Sequence, residues 1–318
     1  MNIIKADVFE IDEQDILKKI ERCGRVCYKS EEQIQTGSAF DFVNMLVKRE
    51  HFAMLEHAPV VLRVTKRIAS TIRNLGHGTF LHVTLNERDE RYLISGNIRA
   101  FHTLLHSHEL FKDSADDISR VAIYLQSSLG TELYTLFFGP DCVCSGVDDR
   151  NYMLTQEEIL ALPRLTYDEA HEHLYLTALF ICDRGVSHEL VRMRGASFAQ
   201  ESTRYCNYNK DKFGKEITVI DPGFIGNAKR QWLSACQHAE ETYFNLLDWG
   251  LMPQMARAVL PNSLKTEVVM TCNLTEWQHT INLRYYGATG SPHPQMKEIM
   301  AIWFTLIKAK KGYCDWII

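Results

Sequence analysis

Residues 174–204 read LYLTALFICDRGVSHELVRMRGASFAQESTR. LYLTALFI (174–181) is apolar almost without a break over the length of a strand, as expected of a strand buried on both faces. It feeds DRGVSHELVRMR, which predicts a short helix with Ser187 as its cap. Arg184, Arg192, Arg194 and Arg204 then fall within 21 residues, with hydroxyls at Ser197, Ser202 and Thr203 among them. A guanidinium offers a planar fork of donors, and with serine it can hold a phosphate by charge-assisted bonds. If 197–205 is extended, Ser202 and Arg204 project from one face and grip one phosphate together. The competing reading is a solvated basic surface paired to Glu189 and Glu201, and composition leaves both open.

Outward from this stretch, residues 12–25 carry Ile16, Leu17, Ile20 and Cys23 at helical spacing, with Asp12 as a possible cap. Residues 39–49 repeat the pattern. APVVLRVT, GTFLHVTL and RYLISG read as strands, and NIRAFHTLLHS as a helix. The stretch 107–165 looks least regular, with a helix near 115–128. Further on, a helix is expected over 229–248, a strand at 266–271, and helices over 275–284 and about 294–310. LISGNIRAFHTLL and VMTCNLTEWQHTI echo one another, each strand-like, then Asn, then helix; by sequence this reads as coincidence. The expected architecture is α+β, a central mixed, largely antiparallel sheet flanked by helices.

The chain has 318 residues, 46% hydrophobic and 24% charged, enough apolar material for a sizeable core. A net charge of −5 argues against general affinity for nucleic acid or acidic membrane, so neither partner is expected. No apolar run reaches the roughly 20 residues that span a bilayer. The acids in MNIIKADVFEIDEQ stand where a signal peptide has its apolar centre, and nine cysteines without a CxxC pair read as reduced thiols. The expectation is a cytosolic protein without a bound metal.

RMRGASFAQESTR (192–204) fits the pattern RHRxxSxxxxSxR and keeps five of its fixed residues. That pattern is the signature of the flavin-dependent thymidylate synthases, the thymidylate synthase-complementing protein family, which this chain resembles. GRVCYKS (24–30), HFAMLEHA (51–58), DRGVSHELVR (183–192), ARAVLPN (256–262) and TCN…NLR (271–284) look like family segments in the family's order. The resemblance implies one domain over 1–318, with 66–173 an insertion that finds no counterpart. It also implies methylation of C5 of dUMP, with FAD as cofactor, NADPH and methylenetetrahydrofolate as co-substrates, and a homotetramer whose sites are shared between chains. On the nucleotide side it assigns Glu189, Arg192, Gln200, Glu201, Ser202, Thr203, Arg204 and Arg257. Arg284 would face the uracil and favour its ionised N3 form. FAD would meet Ala53, Glu56, Met193, Arg194, Gly195, Asn273 and His279.

Two positions depart from the family pattern. Met193 replaces the signature histidine, and a thioether neither donates a hydrogen bond nor titrates near neutrality. Thr275 replaces an arginine often found two residues after the asparagine. The bland readings concern histidines. His57 reads equally as a core histidine, and His293 as a residue at a helix start or a cofactor contact. His171-Glu172-His173 resembles a metal trio but is expected on a surface helix, since i and i+2 face different ways. Other uracil nucleotides, or an inactive flavin-binding relative, remain open as functions.

Overall fold

The computed structural model describes residues 1–107, 112–204, 206–209 and 214–317. Its strands are β1 (Asn2–Ile4), β2 (Asp7–Glu10), β3 (Pro59–Arg63), β4 (His82–Asn86), β5 (Arg91–Asn97), β6 (Tyr175–Asp183), β7 (Ser197–Gln200), β8 (Thr218–Ile220) and β9 (Lys265–Asn273). The helices are α1 (Ile16–Tyr28), α2 (Ser38–Lys48), α3 (Lys66–Leu75), α4 (Ile98–His106), α5 (Ala115–Phe138), α6 (Gln156–Leu160), α7 (Tyr167–His173), α8 (Arg184–Leu190), α9 (Gly226–Asp248), α10 (Pro253–Ala256), α11 (Leu274–Ile281) and α12 (Pro294–Ala309).

The apolar run at 174–181 becomes β6, an inner strand of the antiparallel sheet β2-β6-β9-β7. Its register with β9 runs from Tyr175 opposite Asn273 to Asp183 opposite Lys265. β9 is buried along Thr266–Asn273, because α11 and α12 cover one face and α1 lies on the other side. Phe180, Trp277 and Trp303 form the centre of that core, the two indoles 4.9 Å apart. The fold is α+β: two antiparallel sheets flanked by helices, plus a short parallel ladder between β1 and β8.

The second sheet, β3-β5-β4, lies mostly within 66–173, the stretch expected from sequence to be an insertion. It has its own core of Leu62, Ile68, Ile94, Phe101, Leu125 and Phe137, closed by Ile20 and Leu46 from α1 and α2. The sequence echo is architectural. In both sheets the middle strand pairs antiparallel with its two neighbours, and both middle strands end in a capping asparagine: Asn97 before α4 and Asn273 before α11. Both first strands also run into capped helices, at Thr65 before α3 and Asp183 before α8.

Several local expectations change. Asp183, not Ser187, caps α8; its Oδ1 accepts from the Val186 amide at 2.7 Å. Ser187 lies inside the helix, buried, donating to the Arg184 carbonyl at 2.9 Å. α1 likewise starts from Asp15 rather than Asp12. The region thought irregular holds α5, two helical stretches that meet at a break where Gly130 takes φ +78°; residues 108–111 of that region lie outside the described residues. The helix after Asn273 stops at Ile281 and widens into a π-turn over Asn282–Tyr286. α7 is not a surface helix, since His171 and His173 are buried. His173 bonds Ser95 and Thr84 through its two ring nitrogens at 2.7 and 2.8 Å, and His171 bonds the Trp316 carbonyl at 2.6 Å. Hydroxyls and a carbonyl satisfy these rings.

Candidate functional site

The signature lies on β7, the outer strand of its sheet, and on the chain just beyond it. Ser197 to Gln200 pair with β9, after which the Glu201 amide donates to the Glu267 carbonyl at 2.8 Å. The ladder then passes to the end of α1: the Ser202 amide donates to the Cys27 carbonyl at 3.0 Å. Thr203 and Arg204 form a turn, and Ser202 Oγ accepts from the Arg204 amide at 3.2 Å. The expected extended path over 197–205 therefore ends early, and Ser202 and Arg204 do not stand side by side on one strand. A serine hydroxyl that bonds an amide two residues on closes the turn itself. Tyr205 lies outside the described residues.

Most side chains assigned to the nucleotide have a definite neighbour. Gln200 donates to Ser187 Oγ at 2.9 Å and Thr266 Oγ1 at 3.2 Å, linking β7 to α8. Glu201 is buried against Lys265 at 2.9 Å, and Lys265 and Lys29 both reach Glu267, at 2.5 and 2.7 Å. Burial pushes the Glu201 carboxyl above its usual range, against the pull of Lys265. Glu267 is also buried, but its two ammonium partners hold it below that range. Lys29, Glu201, Tyr208 and Lys265 line a cavity of about 280 Å³. Buried Thr203 accepts from Arg257 Nη1 at 2.9 Å, and exposed Arg204 donates to Gln254 at 3.1 Å. Arg192 is exposed.

Arg284 stands on the π-turn, a widening of the helix often found at functional positions. Its Nη1 donates to Glu189 Oε2 at 3.2 Å and its Nη2 to the Glu189 carbonyl at 3.0 Å. Its Nε is buried and has no partner among the described residues. A guanidinium held on one side with a buried donor left over is oriented but unsatisfied.

The positions assigned to FAD are more scattered. Ala53 is exposed on a cleft of about 360 Å³ shared with Cys27, Tyr28, His51, Phe52 and Arg99. Cys27 also holds the Ser202 amide, so this cleft adjoins the end of the signature. Glu56 is ion-paired to Arg99. Met193 is 5% exposed and packs in the core beneath β6 and β9, while Arg194 and His279 are exposed. At Gly195 an added Cβ would lie 2.6 Å from Glu276 Oε2, so the backbone here passes close against the Glu276 side chain of α11. Asn273 Oδ1 caps α11 and its amide reaches Glu172 at 3.3 Å. Thr275 and His82 bind the same Glu172 carboxylate at 3.2 and 2.5 Å. His57 is buried with Nδ1 2.8 Å from Thr271 Oγ1, and His293 is at the start of α12 without a side-chain cap bond.

Sequence reasoning missed Cys27, Arg99, Glu172 and Lys265. Arg99 and Glu172 lie within 66–173, where the sequence reading found no family segment, and tertiary contact brings them to Glu56 and Asn273. Among the described residues no group of three or more metal-capable side chains assembles.

The family model described as thymidylate synthase complementing protein matches residues 147–310. The flavin-dependent thymidylate synthase of Geobacter sulfurreducens is 30% identical over 147 residues, covering 44% of this chain and 62% of that protein. That of Sulfurisphaera tokodaii is 36% identical over 144 residues, 44% of this chain and 55% of that protein. The chain thus spans little more than half the length of these curated relatives. A solved UMP/dUMP methylase, PolB from Streptomyces cacaoi, aligns with TM-score 0.40 at 15% identity over 97% of this chain and 93% of that one. On the family match, which takes in more than half of its residues, the chain belongs to the thymidylate synthase complementing protein family.

Proposed function

We propose that this protein is a flavin-dependent thymidylate synthase, converting dUMP to dTMP with methylenetetrahydrofolate as one-carbon donor, NADPH as reductant and FAD as cofactor. One observation carries the reading. The signature sits inside the family match, and its Ser202 is bonded to the wall of the cleft that Ala53 lines. That cleft, about 360 Å³ with Arg99 at its wall, is within the roughly 300–1,000 Å³ typical of small-molecule sites. Reduced FAD, when bound, supplies the hydride that completes the methyl group.

The chain's own residues bind and polarise. Arg284 is held by Glu189 and stabilises the negative charge that builds on N3 and O4 of uracil as C5 becomes nucleophilic. Its unpaired buried Nε favours a ligand acceptor at that point. Arg192, Gln200, Glu201, Ser202, Thr203, Arg204 and Arg257 bind the nucleotide, the arginines and hydroxyls taking the phosphate. Glu56, Arg194, Gly195, Asn273 and His279 are the remaining cofactor positions. Their separation within one chain fits sites completed by other copies, as in a homotetramer. The domain reading is one unit over 1–318 with 66–173 inserted.

Met193 favours a second reading, a flavin- or nucleotide-binding relative with impaired catalysis, because a buried thioether supplies no proton or hydrogen bond. The purified protein tests both. A flavin absorption band, NADPH oxidation that rises with dUMP, and dTMP formed in the presence of the folate are expected. A protein that takes up no FAD overturns the first reading and leaves of the second only a nucleotide binder. FAD binding without dTMP selects the second.

A further inference from the structure

The largest of the cavities described, about 660 Å³, is lined by none of the residues assigned to the nucleotide or the cofactor. It opens between the β3–α3 junction, the middle of α5 and the segment 146–154, and its walls include Arg63, Arg120, Arg150, Tyr124, Tyr152 and Asp148. Three arginines, all exposed, and one aspartate thus border it. Asp148 is committed to Arg150, whose Nε it accepts at 2.7 Å. The side chains of Arg63 and Arg120 have no partner among the described residues, although both border the same concavity.

The walls are built rather than incidental. The segment beyond Asp148 is stitched to β3: the Arg63 amide donates to the Tyr152 carbonyl at 2.9 Å and the Leu154 amide to the Val61 carbonyl at 2.9 Å. It is tied to α5 by Ser128 Oγ, which accepts from the Tyr152 amide at 2.9 Å. The Tyr124 and Tyr152 rings stack at 3.9 Å with planes 8° apart, and Arg150 lies over the Tyr152 ring at 5.3 Å. Thr65, also on the wall, caps α3, so the positive end of a ten-residue helix points to the same region. A protein with net charge −5 has gathered unpaired arginines where the forks, the helix end and an aromatic platform converge.

We propose that this cavity is an anion site for a phosphate-bearing small molecule, separate from the nucleotide residues of β7 and independent of the reaction assigned to them. Guanidinium forks match phosphate oxygens in pairs. A diphosphate would engage Arg63 and Arg120 together, with the tyrosine platform available to an attached ring.

Calorimetric titration of the full chain with inorganic pyrophosphate and with ADP, at low and at high salt, tests this. Both should bind, and more weakly as salt screens the charges. Equal affinities would support a site that reads phosphate alone, and tighter ADP one that also uses the rings. Arg63→Ala with Arg120→Ala should weaken binding by roughly tenfold or more, the scale of one lost charge-assisted bond. Arg63→Lys with Arg120→Lys, which keeps the charge without the fork, should fall between. Asp148→Asn should tighten binding severalfold by releasing Arg150. Arg204→Ala should leave this binding intact, which separates it from any anion bound at the signature. The proposal is overturned if neither anion binds at low salt, or if the folded double alanine variant, checked by circular dichroism, binds both as the parent does.

Discussion

Arg284 and Met193 carry opposite residue-scale messages. Arg284 is fixed by Glu189 on two nitrogens and leaves its buried Nε over, so its charge is aimed before any ligand arrives. Arg204 is different: exposed, bonded to Gln254, and suited to capture a phosphate. Arg204→Ala should weaken dUMP binding by about 1.5–3 kcal/mol, the scale of a bond to a charged group, as read by titration calorimetry; unchanged affinity removes its assignment. Met193 is enclosed by the core. Met193→His therefore has two readouts. Burying an imidazole there should cost about 1–3 kcal/mol in a urea melt, and dTMP formation should rise if the missing histidine limits turnover. The buried histidines give a pH prediction. Burial pushes both His57 and His173 down to about 3, while the unfolded chain titrates near 6.5. Between those values the unfolded state binds more protons. The contribution is complete above pH 6.5 and declines as pH falls toward 3. The urea midpoint should drop through that window, and His57→Gln should flatten the drop; a parallel curve in the variant would sink this account.

At the scale of elements, the two asparagine caps explain why strand and helix follow one another in both sheets. An asparagine at the end of a strand satisfies the first free amide of the next helix, and the chain turns there without a loop. Asn273 has a second task, because its amide reaches Glu172. Asn273→Ser keeps a capping oxygen and should lose little stability, whereas Asn273→Ala should lose about 1 kcal/mol or more in thermal unfolding. If flavin occupancy falls equally in both variants while only the alanine is destabilised, the residue has a cofactor role apart from the cap. The same local chemistry accounts for Ser187. Sequence offered Ser187 as the cap, and the end of β6 in its register with β9 placed the cap four residues earlier, at Asp183.

For the whole molecule, the question is how the sheet β3-β5-β4, which precedes the family match at residues 147–310, joins the matched part. Arg91 of β5 forks onto both oxygens of Glu169 in α7 at 2.6 Å, and its other nitrogen donates to the Pro163 carbonyl at 3.0 Å. Both side chains are buried, 5% and 1% exposed, and Glu169 also closes a capping box with Thr166. Breaking one partner of such a pair leaves a buried charge behind. Glu169→Gln should therefore cost about 3–5 kcal/mol. If the pair only decorates the junction, the denaturation midpoint will stay within error of the parent. His173 crosses the same junction, bonded to Ser95 of β5 and Thr84 of β4, so the sheet β3-β5-β4 is anchored to the matched part by buried polar groups.

The sequence by itself determined the local alphabet: the apolar run that became β6, the helices with periodic apolar faces, the capping asparagines, and the thirteen-residue signature that placed the chain in its family. Those features depend on neighbours within a few residues, where spacing and propensity act directly. Tertiary structure decided the rest. It ended the β7 ladder at Gln200, buried the histidines thought to be on the surface, enclosed Met193, and brought Glu172 and Arg99 to Asn273 and Glu56 across long stretches of chain. Such contacts are made when separate hydrophobic faces close on one another, and a residue's pattern in the chain carries no record of which distant face will cover it.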